Sequence, residues 1–459
     1  LFAIPGIAAL IVFLFVRPQE AFPLLQKVPF LHLFTGLAVL GYVIDVRLRR
    51  LQPVGCPTLP WIGAFLLWGL ASCAAIVPDQ LITKAIEFAI LFALYGTIAH
   101  GVQRFRTLQA VAGAVCMTML FIIGVCVIQG MSDMQCIGGQ EIDGEVTGTP
   151  DGRSCETTET CRIGAPDPTL DYRCEHIGPL GTFSVQERVR YRGDLQDPNE
   201  VALATSAGGF AMIIAFGIRK RGALSRLLIA LGAALIVTGV FMTQSRGGLI
   251  AAMLVPGVYL VRRYGVKVII PALAVAVPVM MLASRSGESA DLSTEMRYEA
   301  WATGLDMFRH SPIFGVGPGQ FAQHNYLTAH NSFVLTLGEL GIFGMFLFVS
   351  IIYLSVKCLV VGLRALRDVP GSEVAQTWAM ALLAAMAGII FQINTLSFAY
   401  HPVLWTFFGL CGGWCSAVRY HLPGFDVRLS ARDIAIIAVA CVVYAFGVLP
   451  VFLKLKGIS

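Results

Sequence analysis

Long apolar stretches alternate with short polar ones along almost the whole chain. About thirteen segments, centred near residues 9, 38, 68, 92, 119, 208, 235, 255, 275, 344, 385, 410 and 442, read as helices that enter a bilayer. A span needs roughly 17–25 mainly apolar residues to cross ~30 Å of hydrocarbon. The segments are spread evenly, so the pattern predicts one polytopic domain rather than several soluble ones. The first lacks a basic lead and a small-residue cleavage site, which makes it a span rather than a signal peptide. The chain begins at Leu1 without a Met, which leaves room for residues upstream.

Two polar segments interrupt the run and divide the chain into five parts: helices over 1–130, a loop over 131–198, helices over 199–283, a loop over 284–330 and helices over 331–459. In the first loop, residues 131–180 hold ten acids against three arginines and show no clear period. Residues 181–192 then carry Arg188, Arg190 and Arg192, and Val185 to Tyr191 alternates enough for a short strand or an extended lead-in. Asp197 followed by Pro198 predicts a helix start. In the second loop a helix is predicted from about Ser293 to Phe308, with Arg297, Trp301, Gly304, Leu305 and Phe308 on one face.

Charge fixes an orientation. Six short connections carry Arg47/Arg49/Arg50, Arg104/Arg106, Arg219/Lys220/Arg221/Arg226, Arg262/Arg263/Lys267, Lys357/Arg364/Arg367 and Arg419/Arg428/Arg432. They fall on every second connection, the positive-inside pattern, so these loops are expected in the cytoplasm and both long loops outside. The short outer connections hold only Arg17, Lys27, Lys84 and Arg246. The net charge of +5 thus follows topology and gives no reason to expect nucleic acid. A mean hydropathy of +0.73 agrees with a membrane protein.

Of the twelve cysteines, eight lie in or beside apolar spans and read as small packing residues. Cys136, Cys155, Cys161 and Cys174 share the outer polar loop and are expected to form two disulfides, in any of three pairings. A zinc site is the alternative, but no CxxC pair supports it.

Few groups could carry chemistry. Arg246, in Thr243-Gln244-Ser245-Arg246-Gly247-Gly248, sits at a tight outer corner between two apolar stretches. It either snorkels to the headgroups or offers its guanidinium to phosphate oxygens. Arg297 could bind phosphate or pair with Glu295 or Glu299, and at most one of the three arginines at 188–192 need be special. His330 opens a long span and is the natural base, an imidazole being able to move protons near neutrality. Its bland reading is an interfacial or capping residue, and His310 and His324 compete with it. Glu339, inside the same span, and more weakly Glu87, raise the question of why a carboxylate lies there. The sequence shows no metal-ligand spacing, phosphate loop, dinucleotide fingerprint or GxSxG elbow.

Four pieces together resemble the bacterial O-antigen ligase and O-antigen polymerase superfamily. They are Asp197-Pro198-Asn199-Glu200, Ser245-Arg246-Gly247-Gly248, Arg297 with Trp301 ahead of Ser311-Pro312-Ile313-Phe314-Gly315-Val316-Gly317, and His330-Asn331 followed nine residues later by Gly341-Ile342-Phe343-Gly344. The resemblance covers residues 197–344 and leaves out the cysteine-rich segment. It implies a multi-pass protein of the bacterial inner membrane that transfers glycan from an undecaprenyl-diphosphate carrier to an acceptor hydroxyl, without metal or cofactor, at the periplasmic face. The acceptor would be a second glycan or lipid A core. By that resemblance Arg246 and Arg297 would hold the diphosphate and His330 would act as base. Arg192, Asn331 and Glu339 would be accessory substrate contacts. The expectation is therefore an all-α integral membrane protein, a polytopic bundle of about 12–13 transmembrane helices with two long periplasmic loops. The rival class is a lipid-linked oligosaccharide flippase or other transporter. Transporters place their sites near the bilayer midplane, whereas the polar candidates here cluster at outer helix ends.

Overall fold

A computed structural model describes residues 1–458 except 54, 143–144, 168, 219–221 and 284–287. The charge cluster Arg219/Lys220/Arg221 and the start of the second loop thus lie outside the described residues. The protein is an all-α polytopic bundle, and each of the thirteen apolar centres falls in a helix. Among the described residues nine helices are long and apolar enough to cross a membrane, and Ala3–Val16 and Pro402–Val418 are shorter apolar ones. The other two centres differ for physical reasons. Arg246–Tyr264 begins on one arginine and ends on two, which lowers its hydropathy. Ile269–Ala283 is described for 15 residues, a rise of ~22 Å, up to the start of 284–287, which lie outside the described residues.

The connections sort to two ends. At one, Arg419 donates to the Gly55 carbonyl (3.1 Å), Gln52 pairs with Gln103, and Lys357 donates to the Arg428 carbonyl (2.8 Å). These are the basic connections. At the other, Arg188 donates to the Thr243 carbonyl (2.9 Å), the Gln392 amide to the Asn199 carbonyl (2.7 Å), and the Ser332 N–H to the Ile393 carbonyl (2.8 Å). Arg188, Asn199, Arg246 and Arg297 gather at this second end.

The long helix Ser332–Ala365 is interrupted at Gly341, whose φ of 66° and ψ of −168° are open only to glycine. The segment 311–321 fills the break. Pro312 accepts from the Ile342 N–H (3.0 Å), and Gly338 and Glu339 accept from the N–H groups of Val316 and Gly317 (3.0 Å each). A β-carbon on Gly341 would lie 2.2 Å from the Ile313 carbonyl oxygen. Gly341→Ala therefore combines backbone strain of ~1–3 kcal/mol with a backbone clash. It is expected to lower the thermal midpoint in detergent, and an unchanged midpoint would show that the joint yields.

The cysteine-rich segment departs from the aperiodic lobe read from its sequence. It folds as a three-stranded antiparallel sheet in the order β2-β1-β3, with β1 at Met134–Ile142, β2 at Glu145–Ser154 and β3 at Asp171–His176. The small core is Tyr172 with three of the cysteines. Little of the described part of β2, 148–154, is covered, and this part carries Gly148, Pro150 and Gly152, so no apolar alternation marks it. Cys136 is bonded to Cys161 and Cys155 to Cys174. Cys136 and Cys174 face each other in the β1–β3 register, and both bond to the segment that crosses this face. Non-reducing peptide mapping should recover these two linked pairs; a free thiol at any of the four positions would contradict them.

Val185 to Tyr191 does not form the short strand its alternation suggested. Gln186 and Glu187 are left-handed (φ 49° and 63°) and close a tight turn between Val185 and Arg188. The buried Glu175 carboxylate holds this turn, accepting from the N–H groups of Gln186 (2.8 Å) and Glu187 (3.4 Å). A tertiary contact therefore overrides the local period.

Candidate active site

The site grows from two short motifs that lock together. Asp197 caps the helix Pro198–Gly217 by accepting from the Asn199 N–H (2.7 Å), and its own N–H is met by Glu200 (3.4 Å). This presents the Asn199 amide oxygen to Ser245 Oγ, which donates at 2.6 Å, and to Arg188 Nη2 at 3.2 Å. Ser245 Oγ in turn accepts from the Gly248 N–H (3.0 Å) and caps the helix Arg246–Tyr264. A β-carbon on Gly248 would lie 2.2 Å from that of Ala202, so only glycine lets the two helices meet here. Within the motif, Ser245 caps, Gly248 packs and Arg246, the first helical residue, projects outward and is exposed.

Arg246 lines a cleft of about 270 Å³ together with Arg188 and Arg297. Asn199, Gln244 and Thr294 add polar groups to the wall, and Ile250 and Phe391 form its apolar part. Three guanidinium groups from three distant parts of the chain thus share one opening at the start of a 19-residue helix. The unsatisfied N–H groups and the partial positive charge of a helix start favour an anion at the same place. Ile250 also lines an apolar groove of about 750 Å³ that runs between Arg246–Tyr264 and Ile269–Ala283, past Met253, Leu254 and Leu273. A headgroup-sized polar cleft and a long apolar groove meet at one residue.

His330 does not line this cleft but feels the charge of Arg297, which does, and its backbone is strained, with a left-handed φ of 43°. Such a conformation costs ~1–3 kcal/mol and persists only where the surroundings impose it. Here Trp301 Nε1 donates to the Ala329 carbonyl (2.9 Å) on one side. On the other, Asn331 caps the long helix through the N–H groups of Phe333 and Val334 (2.9 and 3.2 Å), and Ser332 Oγ donates to Leu396 and accepts from the Phe398 N–H (2.7 and 2.8 Å). Burial moves the imidazole pKa down from its ordinary value; Asp197 opposes this and Arg297 adds to it. The ring is therefore neutral near pH 7 and able to accept a proton.

The other sequence candidates divide. Arg192 is directed to the Leu180 carbonyl and the Tyr191 ring and does not line the cleft. Arg190 donates to the Phe183 carbonyl and lies over the Phe183 ring. Asn331 is occupied as a helix cap. The Glu339 carboxylate is fully buried away from the cleft and accepts from the N–H groups of Gly319 (2.9 Å) and Phe321 (3.0 Å), which anchors the 311–321 segment. His310 pairs with the exposed Asp306, and His324 with the Gln320 carbonyl. Arg188 and Asn199 belong to the cleft, although nothing in the sequence singles out Arg188 from its two neighbours. Its marker is the contact with Asn199 of the Asp197–Glu200 motif, which only the folded chain displays.

Residues 231–349 match the family model described as O-antigen ligase. The matched segment contains Arg246, Arg297, His330 and the break at Gly341, and it places this part of the chain in the O-antigen ligase superfamily. The cysteine-rich lobe, Arg188 and Asn199 lie outside it. No curated protein matches the chain. The match supports glycosyl transfer of the O-antigen ligase or polymerase type in general.

Proposed function

We propose that the protein transfers a glycan from an undecaprenyl-diphosphate carrier to an acceptor hydroxyl at the periplasmic face of the bacterial inner membrane. The observation that carries this reading is the convergence of Arg188, Arg246 and Arg297 in one cleft that meets an apolar groove at Ile250. A lipid diphosphate has this dual character: four or more phosphate oxygens suited to guanidinium forks, and a hydrocarbon tail. The tail lies along the Arg246–Tyr264 and Ile269–Ala283 groove, and the carrier enters laterally from the bilayer.

The acceptor oxygen attacks the anomeric carbon while the bond from that carbon to the phosphate oxygen breaks. The electron pair leaves with the diphosphate, and the arginines offset the growing charge in a setting already organised for it. The hydroxyl proton passes to His330, whose lowered pKa keeps the accepting nitrogen free at neutral pH. Direct displacement of this kind inverts the anomeric centre.

A transporter would gather its polar groups near the midplane, and the cleft and His330 instead stand at helix ends. Mass spectrometry of the glycans in a deletion strain tests the reading and divides its two forms. Repeat units that fail to grow identify a polymerase, and full-length chains left on the carrier identify a ligase. A glycan profile identical to wild type would overturn the proposal.

A further inference from the structure

Beside the arginine cleft, the cysteine-rich lobe bounds a second opening of about 600 Å³, within the ~300–1,000 Å³ usual for ligand sites. Its floor is β3, which presents Asp171 and Arg173. One rim is the start of the short helix Thr158–Arg162, preceded by Glu156 and the capping Thr157. The other rim is the left-handed turn at Gln186 and Glu187, with Gln244 beyond it. Both rims are fixed. The Cys155–Cys174 bond ties the first to the floor, and the Glu175 carboxylate holds the second through two backbone N–H groups.

Two features give the opening a direction. Gln244 lines both it and the arginine cleft. Glu187, on its rim, is followed directly in the chain by Arg188, in the cleft. A molecule anchored on the arginines and extended over Gln244 therefore continues into the lobe.

The lining chemistry narrows what that continuation can be. Glu156, Asp171 and Glu187 are exposed carboxylates and accept only; Arg162 and Arg173 donate only; the threonine hydroxyls and glutamine amides do both. Carboxylates outnumber guanidinium groups, so a second phosphate is disfavoured, and an apolar chain would gain little. A dense mixture of donors and acceptors suits a chain of neutral hydroxyls. We propose that this groove is a saccharide subsite that holds sugar units beyond the one that reacts. Its orientation rests on the reading of the arginine cleft as the diphosphate site. Donor and acceptor glycans share this chemistry, and binding experiments separate them.

The purified full chain in nanodiscs is titrated, by ligand-observed NMR, with two probes. One is the oligosaccharide released by mild acid from the producing cell's lipid-linked pool; the other is the lipid-free acceptor glycan. Wild type should bind one of them. Thr158→Trp, which fills the groove, and the double variant Glu156→Gln/Asp171→Asn, which keeps its shape, should each bind about tenfold more weakly or worse, the loss expected when hydrogen bonds to charged groups are removed. Arg246→Ala should bind as wild type does. The probe that binds assigns the groove to donor or acceptor. No binding by wild type, equal binding by all variants, or loss in Arg246→Ala alone would overturn the subsite. Transfer by Arg246→Ala is assayed separately: activity retained there, with groove binding intact, removes the diphosphate assignment and leaves the subsite standing.

Discussion

Arg246→Ala is expected to reduce glycan transfer by ~10²–10³-fold or more, the usual cost of removing one preorganised charge-stabilising group. The cap and the helix contact of the corner that presents it are made by other residues. Ser245 makes the cap, Gly248 makes the helix contact, and Arg246 is exposed in the cleft. Expression and thermal midpoint should therefore stay near wild type while activity collapses. Arg246→Lys should fall between, because an ammonium keeps the charge and loses the planar fork that grips two oxygens at once. Arg297→Ala should resemble Arg246→Ala. Near-wild-type transfer by Arg246→Ala in a reconstituted assay would remove the cleft from the mechanism.

The second large effect is predicted at His330. His330→Ala should lower transfer by ~10²–10⁴-fold, the range of general-base catalysis, while binding of the lipid diphosphate, proposed to rest on the arginines, stays nearly intact. The wild-type rate should fall as pH drops, since protonation fills the accepting lone pair. Burial and Arg297 hold the imidazole pKa down, so the half-maximal point should lie below the ordinary histidine value of ~6.5. Activity above about a tenth of wild type in His330→Ala would argue against a base. Loss of lipid binding in the same variant would make His330 a positioning residue.

Much of this site was legible because its parts obey local rules. Ser245-Arg246-Gly247-Gly248 reads as a tight corner between two apolar stretches that leaves a cation open, and Asp197-Pro198 as a helix start. His330-Asn331 reads as a polar cap on an apolar run. What the sequence could not show depends on contacts between distant segments. The choice of Arg188 over Arg190 and Arg192 is made by the turn at Gln186–Glu187, and that turn is held by Glu175 from β3. Glu339 was a reasonable functional candidate because a carboxylate in a span needs a reason. The reason is the N–H groups of Gly319 and Phe321, which the sequence places some twenty residues away in a glycine-rich loop. The sheet stayed hidden because the glycines and proline of 148–152 and a core made mostly of cysteines leave no apolar alternation to read.

In an unbroken helix, each residue added or removed turns everything beyond it by ~100° and shifts it by ~1.5 Å. The long helix Ser332–Ala365 is not unbroken, since its first segment ends at Gly341, where Gly338 and Glu339 accept from Val316 and Gly317 of the 311–321 loop and Ile342, beyond the break, donates to Pro312. The direction of 342–365 is thus not passed rigidly along one helix to His330; it meets the 311–321 loop first, where Ile342 is bonded to Pro312. The aim of the imidazole is set by its immediate neighbours, the Trp301 bond to Ala329 and the Ser332 bonds to Leu396 and Phe398, rather than by the direction of the helix beyond Gly341.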